Sequence, residues 1–345
     1  LEASVGLCIK GMAMETTNAP EAVNRRRLLQ AATAGLGGLI TMRQVVAQQP
    51  VVPAQAAPAA AAEKPTDFVI ACATLPYSRF PLIRALQGIA KAGFHHVAWG
   101  VSHLESTGQR VPVLPSEAPV QEAKQLAQRC RDLGLAPVLL FSDVSPEHPD
   151  AVNLLGNRIL QAAAGGISQV VAVSQNAKLN RPLWLQRLKE LAKLAADNEV
   201  SLVIKPGAGE TGSGRACAEL VQQIGSPNVR VNYDAGTVMG SLNIDPIPDL
   251  KTCFDAVDSF TIKDHRNVPR REHCGPGLGE IDHYKLLGLV SHTGKTIPLC
   301  CDNVYAPLLP PPKTPEEVDE LAARARNYLE LVTAGLQNRL AQDPR

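Results

Sequence analysis

Residues 201–240 read SLVIKPGAGETGSGRACAELVQQIGSPNVRVNYDAGTVMG. Two short apolar runs in this stretch, 202–204 and 229–231, lead to single charges, Lys205 and Asp234. Between them lie a glycine-rich loop and an amphipathic run closed by Gly225 and Pro227, which makes a strand–helix–strand unit. A lone charge at the end of a strand, followed by a glycine turn, is what a parallel α/β enzyme carries at its catalytic face. The same two residues also read as strand-end charges that face solvent or each other.

The pattern extends outward in both directions. Strand-like runs fall at 68–74, 96–100, 137–141, 169–174, 201–205, 229–234, 259–263 and 296–301. Helical patterns fall between them at 81–92, 119–133, 149–164, 182–198, 215–224, 247–257 and 283–290, with a long last one at 315–336. Proline or acidic residues mark several helix starts, and Gly93, Gly134, Gly165 and Gly225 mark ends. Eight strands alternating with helices predict a single-domain (β/α)8 TIM barrel over residues 66–345, since an open doubly wound sheet usually stops at about five or six strands. The glycines at 207, 209, 212 and 214 do not have G-x-G-x-x-G spacing and come after the fifth strand, so no dinucleotide fingerprint supports the open sheet.

Residues 1–65 have a different character. Asn24-Arg25-Arg26-Arg27-Leu28-Leu29-Gln30 resembles a twin-arginine export motif, and a moderately apolar stretch comes next at 31–42. That stretch is too short to span a bilayer, which needs about 20 apolar residues. Ala54-Gln55-Ala56 is the best small-residue cleavage site, and 50–62 is a Pro/Ala-rich linker. The expectation is an exported, periplasmic protein with no membrane contact after leader removal.

The net charge of +1 and the 4 % aromatic content argue against nucleic acid or an anionic membrane surface as the main partner. The eight cysteines form no CxxC pair and no Cys/His zinc spacing, and most sit in apolar runs as small buried hydrophobes.

In such a barrel the active site lies at the C-terminal ends of the strands. Reading those ends gives Thr74 and Tyr77, His103 and Glu105, Asp143, Gln175, Lys205, Asp234, Lys263-Asp264-His265 and Asp302-Asn303, with the charges concentrated in the second half. The loop 266–273 adds Arg266, Arg270, Arg271 and His273, a set that could clamp an anion or form a solvated surface.

The sequence IKPGAGETGSG, then SPNVRVNYDAG, FTIKDHRN and PGLGEIDHYKLL, resembles the xylose-isomerase-like sugar phosphate isomerase/epimerase superfamily over residues 67–336. The resemblance implies a divalent metal held by Glu, Asp, His and Glu at the ends of strands five to eight, with two carboxylates moving a proton beside a carbonyl. Position by position, Asp234 matches the sixth-strand ligand, whereas Lys205 stands where the fifth-strand Glu belongs. Asp302 replaces the eighth-strand Glu, Thr261 occupies the usual His position with His265 just after it, and Thr237 replaces a His after the Asp-x-Gly turn. A protonated lysine cannot ligate a hard cation and can stand in for its charge. The expectation is therefore no cofactor, or a weakly bound divalent metal on Asp234, His265 and Asp302. Lys205, Asp234, His265 and Asp302 are the candidate catalytic residues, and His103, Lys263 and Arg266 the candidate substrate contacts. The implied substrate is a small sugar, keto-sugar or polyol undergoing isomerisation, epimerisation or elimination, and a homo-oligomer is compatible with the chain. The alternative is a non-catalytic carbohydrate-binding barrel with a degenerate metal site.

Overall fold

The computed structural model describes residues 64–173, 180–207 and 209–342. The twin-arginine segment, the Ala54-Gln55-Ala56 site and Gln175 lie outside these residues.

Eight strands close into one parallel barrel: β1 (Asp67–Ala73), β2 (His96–Trp99), β3 (Ala136–Phe141), β4 (Gln169–Val173), β5 (Ser201–Lys205), β6 (Val229–Tyr233), β7 (Val257–Ile262) and β8 (Thr296–Cys301). Neighbours in the ring keep chain order, and β8 pairs with β1 over 67–72 against 296–301 to close it. The helices α1 (Leu82–Lys91), α2 (Val120–Asp132), α3 (Ala151–Gly165), α4 (Arg181–Asp197) and α5 (Gly214–Ile224) cross over between the first six strands. The remaining helices are α6 (Ala235–Leu242), α7 (Pro246–Lys251), α8 (His283–Gly288) and α9 (Pro315–Gln342).

One feature of the expected helix pattern is corrected. In place of a single helix over 247–257 the chain forms the short α7 and a 3-10 turn at Phe254–Ala256, and a further helix, α6, precedes them. Asp234 and Asp245 start the two helices by accepting the amides of Thr237 and Ile247, and Asn243, at φ 55°, ends the first in the left-handed region. Two antiparallel hairpins add to the barrel, Ser102–Leu104 with Arg110–Pro112 after β2 and Asp264–Arg266 with Glu272–Cys274 after β7.

Side chains alternate in and out along each strand. The outward set packs against the helices in a large apolar shell that includes Val97, Leu140, Ile204, Tyr233 and Phe260. The inward set is a small cluster of Ala73, Ala98, Leu139, Val171, Val203 and Cys300. Around β6 and β7 the inward positions are polar: the Asn232 amide donates to Ser259 Oγ at 2.7 Å and accepts from Thr261 Oγ1 at 2.6 Å. The barrel interior is thus apolar on one side and hydrogen-bonded on the other. The seven described cysteines are buried free thiols.

Candidate functional site

Advancing two residues from each inward position gives the layer above the core. From Val203 this reaches Lys205, from Asn232 Asp234, from Thr261 Lys263, and from Cys300 Asp302. The period-2 alternation therefore aims four charges inward at the C-terminal mouth, on β5 to β8. The same step from Ala73, Ala98, Leu139 and Val171 gives Leu75, Gly100, Phe141 and Val173. These four, with Lys205 and Asp302, line a cavity of about 280 Å³. A more open hollow around Lys64, His292 and Lys295 lies away from the four charges.

Asp234 is the centre of the cluster and is fully buried. Its Oδ2 accepts Lys205 Nζ and Lys263 Nζ, each at 2.5 Å, and Thr237 Oγ1 at 2.8 Å, while Oδ1 accepts the Thr237 amide at 2.8 Å. Lys263 also reaches Asp302 Oδ2 at 3.3 Å. The other oxygen, Asp302 Oδ1, is buried without a hydrogen-bond partner among the described residues.

Position sets the charge states. Burial pushes the Asp234 carboxyl up, but Lys205 and Lys263 outweigh it and hold the group well below the ordinary carboxylate range. Burial also works against the Lys263 ammonium, and Asp234 and Asp302 reverse this, so the amine titrates above its usual range. Asp302 goes the other way: burial, with the nearby negative charge of Asp234, raises it despite Lys263 and Lys205. The two carboxylates of one cluster are driven apart, one locked as an anion and one able to carry a proton.

The other sequence candidates sit elsewhere. His265 makes no hydrogen bond or ion pair with the cluster. Its Nδ1 lies 3.2 Å from His273 Nδ1, with the rings 4.9 Å apart, and both rings are packed so close that a Cβ on Gly240 would strike them. His273 is the histidine whose titration responds to Lys263 and Asp234; burial and Lys263 bring it down to about 4. His103 Nδ1 donates to the Phe80 carbonyl at 2.8 Å, and the residue lines a separate side hollow with Glu105. Arg266 donates from Nε and Nη2 to the Val268 carbonyl, Arg270 pairs with Glu272, and Arg271 donates to the Gly240 carbonyl. The loop arginines are therefore tied within the rim itself.

Asp264 is structural. It accepts the amides of His265, Gly277 and Ile281 and so fixes the glycine-rich loop. A Cβ on Gly279 would lie 2.3 Å from Asp264 Oδ1, which explains the need for glycine there.

These donors do not suit a hard divalent cation, which takes about six oxygen ligands. Asp234 faces two ammonium groups, a lysine ends β5, and no group of three His, Cys, Asp or Glu is arranged for a metal among the described residues.

The sequence placed Lys263 and Asp143 at strand ends but did not show their partners. Lys263 was read as a substrate contact, and its Nζ lies against Asp234 beside that of Lys205. Its inward alternation with Thr261 and Ser259 was the available signal. Asp143 stands on the cavity wall, paired to the buried Arg158. That link joins a strand end to a helix face and leaves no local motif.

Several solved structures share this fold. L-ribulose 3-epimerase superposes with a TM-score of 0.62 at 14 % identity, covering 79 % of this chain and 97 % of that one. D-allulose 3-epimerase from Methylomonas sp. gives 0.57 at 16 % identity, over 78 % and 98 % of the two chains. A xylose isomerase-like TIM barrel/4-hydroxyphenylpyruvate dioxygenase fusion protein gives 0.59 at 19 % identity, over 80 % of this chain but only 44 % of the fusion. No curated protein sequence matches. At these identities the likeness is one of fold, and the sequence supplies the rest: the family model for the xylose isomerase-like TIM barrel matches residues 86–328, and the chain belongs to that family.

Proposed function

We propose that the protein is a sugar isomerase/epimerase-like enzyme that abstracts a proton next to a carbonyl without a divalent metal. The observation that carries this is that Lys205 and Asp302 line one cavity while Asp234 and Lys263 stand behind them. Lys205 donates a hydrogen bond to the substrate carbonyl and stabilises the negative charge that develops there as the neighbouring C–H bond breaks. Asp302, in its ionised form, takes that proton. Returning the proton to the former carbonyl carbon, as the proton of the neighbouring hydroxyl passes to the former carbonyl oxygen, isomerises the substrate. Protonation of the same carbon by solvent water from the opposite face epimerises it, and departure of a β-hydroxyl as water, taking the proton held by Asp302, gives elimination. Asp234 touches no substrate in this scheme; it holds both lysines in place. Small sugars, keto-sugars and polyols are the proposed substrates, in keeping with the epimerase activities named for the fold neighbours. Export through the twin-arginine route, with nucleic acid and membrane excluded as partners of the mature barrel, completes the proposal.

The test is carbon-bound deuterium uptake by keto-sugars incubated with the protein in deuterated water, read by NMR. Wild-type protein places deuterium next to the carbonyl, and Lys205→Met lowers the rate about 10²–10³-fold, the usual effect of removing one charge-stabilising donor. The short Lys205–Asp234 contact favours one other reading, a binding barrel whose charges are locked in an inert pair. Sugar binding without exchange or conversion across the panel would select it.

A further inference from the structure

The cavity has a second polar pole. Asp143 comes just after β3, two strands round the ring from Lys205 and three from Asp302, and shares the cavity wall with both. Its side chain is 31 % exposed, whereas its partner Arg158, on α3, is 3 % exposed. Arg158 Nη2 donates to Asp143 Oδ1, and Nη1 is fixed by the Leu114 carbonyl at 2.7 Å and Gln161 Oε1 at 3.0 Å. Gln161 is itself anchored to the carbonyls of Pro115 and Ala118. A buried arginine thus holds one carboxylate oxygen from behind. The other, Oδ2, has no hydrogen-bond partner among the described residues. Lys205 is the one cation among the described lining residues, and the rim arginines are engaged by Val268, Glu272 and Gly240.

We infer that Asp143 is the specificity residue of the site: it accepts hydroxyl hydrogens at the end of the substrate remote from the reacting carbons and excludes substrates that carry an anion there. Resting on the function proposed above, this narrows the substrate class to neutral, unphosphorylated ketoses and polyols. A hydroxyl donates to a fixed carboxylate. A phosphate or carboxylate at the same place meets the unpaired oxygen of Asp143, while Arg158 is held behind the other oxygen and tied by Leu114 and Gln161. Arg158 acts through Asp143 and is a positioning residue.

The experiment compares D-fructose with D-fructose 6-phosphate, and D-ribulose with D-ribulose 5-phosphate, by calorimetric binding and by deuterium uptake. Wild-type protein should prefer the free ketose by at least about tenfold. Asp143→Asn keeps the size and the acceptor for Arg158 but removes the charge, and it should shrink that preference about tenfold or more. Asp143→Lys should reverse it, and Asp143→Ser serves if the lysine variant does not fold. Arg158→Met should weaken free-ketose binding while leaving the pH profile of exchange unchanged. An unchanged ratio in both Asp143→Asn and Asp143→Ser, or a wild-type preference for the phosphate esters, overturns the inference while leaving proton abstraction standing. Failure of the wild type to bind or exchange any of the four ligands overturns the proposed function and this inference together.

Discussion

Lys263 Nζ lies 2.5 Å from Asp234 Oδ2, and that oxygen also receives Lys205 at 2.5 Å. Two ammonium groups on one fully buried carboxylate oxygen would repel each other if the carboxylate were neutral. Asp302 Oδ2 lies 3.3 Å from the same Lys263 Nζ and adds a fourth titratable group to the cluster. The group of four is balanced when Asp302 is ionised and carries one net positive charge when it is protonated.

Removing the shared anion isolates both lysines. Asp234→Asn keeps the helix-starting side chain, since Asn caps as well as Asp, and deletes the charge. A loss of about 3–5 kcal/mol is expected, the usual effect of stranding a buried partner. Urea unfolding at neutral pH measures it, and a midpoint equal to wild type would show that the cluster is not held by this charge.

The two carboxylates should act oppositely on stability as pH changes. The folded value of Asp234 is depressed, so its contribution is present above the unfolded value of about 3.9 and is lost as pH falls through the folded value. The folded value of Asp302 is raised, so its favourable contribution is complete below about 3.9 and is lost as pH rises through the folded value. Asp302→Asn should therefore stabilise the protein at neutral pH, and Asp234→Asn should flatten the acid limb of the stability curve. Exchange activity should rise with pH as Asp302 ionises and vanish in Asp302→Asn. Urea midpoints measured from about pH 3 to 9, as ordinary carboxylates and histidines titrate, check the first pair of statements. An exchange rate flat in pH over that range would remove Asp302 as the base.

Because lysine ends β5, the purified protein should carry well under one equivalent of divalent metal, and a chelator should leave its melting temperature unchanged. Lys205→Glu should create measurable Mn²⁺ affinity by placing a carboxylate beside Asp234 and Asp302. Stoichiometric, chelator-sensitive metal in wild-type protein contradicts the assignment.

Export is tested at its motif. Replacing Arg25, Arg26 and Arg27 with lysine should retain the protein in the cytoplasm, and the wild-type mature chain should begin near Ala56. Cell fractionation and N-terminal sequencing read both, and normal export of the triple variant rules out the twin-arginine route.

Most of the barrel was legible in the sequence because a parallel strand buried on both faces leaves a short apolar run, and glycine or proline punctuates the chain just beyond it. Strands 201–205 and 296–301 match the observed β5 and β8 bounds. The Ala235–Leu242 helix was hidden because AGTVMGSL carries two glycines and little amphipathic signal, and its start depends on the side chain of Asp234. The hairpin Asp264–Arg266 with Glu272–Cys274 was hidden for another reason. It turns the residues after Lys263 away from the strand direction, so His265 leaves the mouth although it is two residues from a member of the cluster. Lys205 and Asp234 were found because each ends a strand. Arg158 was out of reach because its role appears only once α3 is packed behind β3.

The double duty of Asp234 bears on how this barrel can change over generations. One carboxylate opens α6 and balances two cations, so a substitution that loses both the cap and the charge disturbs frame and site at once. Asp143 and Asp302 start no helix. New substrate ranges should therefore arise by exchange at those two mouth positions, with Asp234 as the fixed pivot about which variants of the barrel diversify.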